Sequence, residues 1–173
     1  LATKEDISEI TGKIEAVKLD HARQLEAARA ELSSQINTHG FRYEKEYQVL
    51  SELSALLVDV RDASLSLRPV MDFIDPNKSD EEIKRERLGR FYEALRALYL
   101  VREKKRPFYP ENIYEAIRTI EKESRSESIQ YQYKDPTDSE RYMDYWEQAE
   151  KNQEAITKLA EAAMSNIRER VTK

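Results

Sequence analysis

From Ile7 onward, the apolar residues of this chain recur with helical spacing. Ile7, Ile10, Ile14 and Val17 follow at steps of 3, 4 and 3, the spacing of a coiled-coil seam. The series continues through His21, Leu25, Ala28, Leu32 and Ile36, and Ile14, Leu25, Ile36, Tyr47 and Val58 recur every 11 residues. A period of 11 covers three helical turns, so the stripe stays nearly straight along one face. A helix with so narrow an apolar stripe cannot bury it alone. It needs a partner helix, most simply a second copy of the chain. The N-terminal quarter therefore cannot be part of a one-core globule. The expected oligomer seam is Ile7, Ile10, Ile14, Val17 and His21.

Beyond about residue 38 the stripe widens, with Phe41, Tyr43, Tyr47, Leu50, Leu53, Leu56, Leu57, Val60, Leu65 and Leu67. A one-stripe helix becomes a wide-faced one, as where a coiled coil enters a bundle. Gly40 is followed by neither proline nor a polar cluster, so the helix is expected to continue through it, from about residue 4 to residue 68 or 74. Asp75-Pro76-Asn77 stops it. Ser79, with Glu82 three residues on, caps a second helix ending near Lys105. A third helix starts around Pro110 and weakens after Glu121, since Lys122 to Gln130 offers only Ile129. Thr137 and Glu140 form a capping box for a fourth helix that reaches Val171. With 3 Gly and 5 Pro in 173 residues, tight-turn sites are too few for a sheet protein. The expected fold is all-α. Residues 1–40 form a coiled-coil stalk, and residues 41–173 form an antiparallel four-helix bundle joined by short connections.

Charge narrows the function classes. The net charge is −5, and residues 61–106 hold 12 basic against 9 acidic side chains. Nucleic-acid binders usually show a stronger basic field. That alternative rests on Lys84, Arg85 and Arg87 of the second helix and on Lys104, Lys105 and Arg106. The latter three also suit the negative end of the helix dipole. Cysteine is absent, which rules out disulfides and thiolate chemistry. The two histidines, His21 and His39, are far apart in sequence, and no Glu-x-x-His, Gly-rich phosphate loop or nucleophile elbow occurs. No catalytic residue, metal ligand or cofactor site is expected. Asp59 and Asp62 lie three apart in an apolar helix, and one of them is expected to face inward and pair with a basic residue of the second helix.

Two aromatic clusters remain. In Arg106-Pro107-Phe108-Tyr109-Pro110 the prolines bracket Phe108 and Tyr109. Both rings are expected to plug the bundle end at a rigid corner, with the Tyr109 hydroxyl near water. Tyr131, Tyr133, Tyr142 and Tyr145, with Trp146 beside them, straddle the connection between the third and fourth helices. Tyrosine is favoured both at bundle ends and in protein contacts. These four tyrosines are the candidate surface for a protein partner, with acidic neighbours that suit a basic or mixed one.

The stretches YEKEYQVLSELSALLVDVRDASLSLRPVMDFIDP and RPFYPENIYEAI resemble a group of small, uncharacterised bacterial helical proteins. In that group the opening LATKEDISEIT follows a hydrophobic N-terminal segment, and a helical stalk and a terminal helical domain come next. The resemblance implies a membrane anchor upstream of Leu1, and the absence of cysteine fits a cytoplasmic place, at the inner face of the membrane if that anchor holds it. Within the sequence itself no apolar run nears the ~20 residues a spanning helix needs. The expected function is a non-catalytic oligomeric scaffold or protein-interaction module. An enzyme whose active site forms only in the assembled bundle is the further alternative.

Overall fold

The computed structural model describes residues 4–69, 75–133 and 142–172, with side chains described from Gly12 onward. Among the described residues there are four α-helices and one short 3-10 helix, and no strand. They are α1 (Lys4–Leu65), α2 (Asp80–Lys104), the 3-10 turn Arg106–Phe108, α3 (Glu111–Tyr133) and α4 (Tyr142–Thr172). The all-α reading holds. The chain divides into two compact units, Leu1–Glu44 and Lys45–Lys173. The boundary lies four residues beyond the expected one. The Thr137–Glu140 capping box lies outside the described residues, as do the side chains of Ile7 and Ile10.

In the first unit, α1 passes through Gly40 without a break. Every described side chain from Gly12 to Glu44 is exposed. Ile14, Val17, Leu25, Leu32 and Ile36 are each about half exposed or more.

The second unit is built around Val49, Leu50, Leu53, Leu57 and Val60 of α1, with Leu67 after its end. Phe91, Leu95 and Leu98 of α2 join them, together with Ile113, Ile117 and Ile120 of α3 and Ala160, Ala163 and Ile167 of α4. Spacings of 3 and 4 put each set on one helix face. α1 ends earlier than the expected residue 68 or 74. Ser64 and Ser66 turn their hydroxyls back to the carbonyls of Val60 and Ala63, Leu67 N–H donates to Ser64 O in a tightened last turn, and Pro69 disfavours helix at Arg68. Ser79 caps α2 as expected: its Oγ accepts from Glu82 N–H, and the Glu82 carboxylate accepts from Ser79 N–H at 2.8 Å.

Contacts fix two helix directions. Arg170 meets Glu46 at 2.6 Å, whereas Arg68 meets the Tyr145 carbonyl at 3.1 Å. Residue numbers rise in one partner as they fall in the other, so α1 and α4 run antiparallel within this unit. Lys84 on Tyr131 and Arg102 on Glu121 give the same result for α2 and α3.

In three further places the structure departs from the expected one. Helix three does not weaken after Glu121. It continues to Tyr133, and its inner face becomes polar, with Glu121, Ser124, Glu127 and Ser128 buried. Ile129, the one apolar residue expected there, is 49% exposed. Asp59 and Asp62 do not face inward. Leu53, Leu57 and Val60 take the core face, both aspartates stay in solvent, and Asp62 pairs with its neighbour Arg61. At the corner, only one ring is a plug. Tyr109 is buried, and its hydroxyl donates to the Arg102 carbonyl at 2.6 Å instead of reaching water; Phe108 is exposed.

The buried Tyr109 carries a pH signature. Burial pushes its pKa from 10.0 up to about 12, against the pull of the nearby Arg102 charge. Its folded pKa is raised, so the unfolded chain loses this proton first as pH rises. The stability held below pH 10 is therefore lost progressively toward about pH 12, by about 1 kcal/mol at pH 11. Urea melts at pH 9 and 11 should show a smaller loss for Tyr109→Phe than for the native chain. Equal losses in both would contradict this placement.

Candidate functional site

The best-developed polar arrangement lies where the end of α1, the middle of α3 and the start of α4 meet. Arg68 is 2% exposed and Glu127 is fully buried. The Arg68 Nε donates to Glu127 Oε1 at 2.6 Å, its Nη2 donates to Oε2, and its Nη1 donates to the Tyr145 carbonyl. Asn152 Nδ2 donates to Glu127 Oε2 at 2.6 Å. Gln153 Nε2 donates to the Arg68 carbonyl at 2.6 Å. The guanidinium also lies over the Tyr145 ring, 4.6 Å from its centre. Burial raises the Tyr145 pKa, against the pull of the Arg68 charge.

Every side-chain nitrogen and oxygen of this ion pair has a partner, so the pair offers neither a free base nor a free anion site. It locks three helices in one register. Above it opens a cleft of about 470 Å³, lined among others by Tyr142, Met143, Trp146, Glu147 and Glu150. Tyr142 and Trp146 meet edge to face at 6.3 Å and Trp146 meets Tyr145 at 5.3 Å. Tyr142 is 50% and Met143 67% exposed.

A second buried pair joins α2 to α3. Arg102 donates to Glu121 through Nε and Nη2 at 3.0 and 2.8 Å, and its guanidinium lies against the rings of Tyr99 and Tyr114. Burial opposes the Arg102 charge, but the bonds and charge of Glu121 outweigh it and hold its pKa above the ordinary value.

The four partner-candidate tyrosines do not share one environment. Tyr133 is 76% exposed and Tyr142 half exposed, whereas Tyr131 packs on the core under Lys84. Tyr145 is 6% exposed and faces Arg68, so it supports the surface from beneath instead of presenting a ring. Trp146 and Met143 complete the exposed aromatic edge. The six cations of the nucleic-acid alternative are spread out. Lys84 covers Tyr131, Arg87 donates to the Leu67 carbonyl at 3.4 Å, and Arg106 pairs with Glu111 at 2.9 Å over the Tyr114 ring. Arg85 and Lys104 are exposed and Lys105 is half-buried. Of the seam residues, Ile14, Val17 and His21 are exposed on α1.

The sequence reading missed Arg68, Glu121, Glu127 and Arg102. A signal was present: Ile113, Ile117, Ile120, Ser124 and Glu127 keep steps of 4, 3, 4 and 3, so the polar residues continue the apolar stripe. Among the described residues, no group of three His, Cys, Asp or Glu could hold a metal ion, and no helix is long and apolar enough to cross a membrane. No protein-family model, curated protein or solved structure matches this chain.

Proposed function

We propose that this protein is a non-catalytic scaffold: its N-terminal unit self-associates as a coiled-coil stalk, and its bundle presents surfaces to a protein partner. One observation carries the reading. The stripe Ile14, Val17, Leu25, Leu32 and Ile36 recurs with coiled-coil spacing on the part of α1, Gly12 to Glu44, whose described side chains are all in solvent. Such a stripe loses its exposure only against a matching helix, and each fully buried Leu or Ile contributes about 1.5–3 kcal/mol. The aromatic edge of Tyr142, Met143 and Trp146, with Glu147 and Glu150 beside it, supports a partner surface of the kind enriched in contact hot spots. Tethering at the inner face of a membrane rests on the resemblance described above.

A parallel dimer is the simplest closed arrangement. It is tested by a single engineered cysteine, since the chain has none of its own. In a parallel in-register pair, Ala28→Cys places two thiols across the seam within disulfide reach. Mild oxidation should convert most of this variant into a covalent dimer, and a cysteine at exposed Glu26 should cross-link far less. Equal cross-linking at both positions, or none at either, would contradict the parallel seam.

A further inference from the structure

The groove between the outer faces of α2 and α3 belongs neither to the seam nor to the aromatic edge. It is a cleft of about 720 Å³, with Tyr99 on the α2 side and Arg118, Lys122, Arg125 and Ile129 along α3. Arg102 and Glu121 also reach it, but they neutralise each other. Arg118, Lys122 and Arg125 follow at steps of 4 and 3, so α3 sets three cations on one face within about 10 Å of helix axis. Arg118 makes only a long, exposed contact of 3.6 Å to Glu115. Lys122 and Arg125 have no side-chain partner among the described residues. Beside these cations, Tyr99 is 47% and Ile129 49% exposed.

Unpaired cations next to exposed apolar groups define what can fill the groove. From Glu115 to Ile129 the α3 wall runs about 20 Å, or roughly four helical turns. We propose that this groove docks an acidic amphipathic helix of a partner protein. Its apolar residues would lie on Tyr99 and Ile129, and its carboxylates would meet Lys122, Arg125 and Arg118. A nucleic-acid strand fits less well. It would need many phosphate contacts, whereas Lys122 and Arg125 are the two unpaired cations of this lining, Glu115 belongs to the same lining, and the chain carries a net charge of −5.

The test uses the intact chain and a fluorescein-labelled synthetic helix of about five turns, with leucines on one stripe and glutamates elsewhere. Comparators are the same peptide with glutamine for glutamate and an oligothymidylate strand. Anisotropy should show saturable binding of the acidic helix. Lys122→Glu with Arg125→Glu should weaken it at least about tenfold, with unchanged helicity, since both side chains are exposed. Tyr99→Ala should weaken it further. No binding, equal binding of the glutamine peptide, tighter binding of the oligonucleotide or insensitivity to the charge reversal would each overturn the proposal. So would a change in the chain's own mass on charge reversal, which would assign the groove to a second copy. Self-association of residues 14–36 is read separately on the same samples, so either idea can fail alone.

Discussion

Replacing Glu127 with alanine is expected to destabilise the bundle by about 3–5 kcal/mol, a large share of a typical domain's stability. The cause is specific. Arg68 is 2% exposed, and two of its three nitrogens rest on this one carboxylate. Without Glu127 a guanidinium stays buried with the Tyr145 carbonyl and Gln130 as its remaining acceptors, and Asn152 loses its 2.6 Å acceptor as well. Urea unfolding followed by the single tryptophan, Trp146, reads the loss beside the site. The pair as a whole is a different matter. Desolvating two charges offsets most of their attraction, so Arg68→Met combined with Glu127→Leu should recover most of the loss. If Glu127→Ala costs under about 1 kcal/mol, the pair is solvated and the lock described above is wrong.

Placing two charges on the seam should have a comparable effect on assembly. Leu25→Glu with Leu32→Glu puts two carboxylates per chain where apolar side chains are proposed to meet. Each substitution forfeits about 1.5–3 kcal/mol of burial per chain and brings like charges together. Self-association should weaken by at least about a hundredfold. The bundle should be unaffected, because its core begins at Val49, so the urea midpoint reported by Trp146 should not move. A shared drop in both would show that the substitutions disturb folding instead of the seam.

The parts of the fold legible in the sequence are those set by local chemistry. Ser79 and Glu82 announce the start of α2, and the 3–4 spacing of Phe91, Leu95 and Leu98 gives its inner face. Continuity through Gly40 followed from the lack of any stop signal after it. What was not legible depends on partners distant in sequence. Glu121 and Glu127 read as solvated acids because most glutamates are. They are buried because Arg102 and Arg68 arrive from 19 and 59 residues away. Asp59 and Asp62 looked like the buried acids by virtue of their apolar neighbours, yet the helix turns both outward. Among the candidate tyrosines, spacing could not separate exposed Tyr133 from buried Tyr145. That difference depends on which ring Arg68 covers. The α2–α3 groove was invisible for a related reason: Tyr99 and Lys122 share a surface only because the corner folds α3 back along α2.

The proposed seam between copies of the chain lies in residues 14–36, and sedimentation equilibrium on the intact chain reads it without any label or substitution. At tens of micromolar the mass should be an integer multiple of 20.4 kDa, two in the simplest case, returning to 20.4 kDa in Leu25→Glu with Leu32→Glu. A native chain that stays at 20.4 kDa throughout that range, with its full helical circular dichroism, would contradict it.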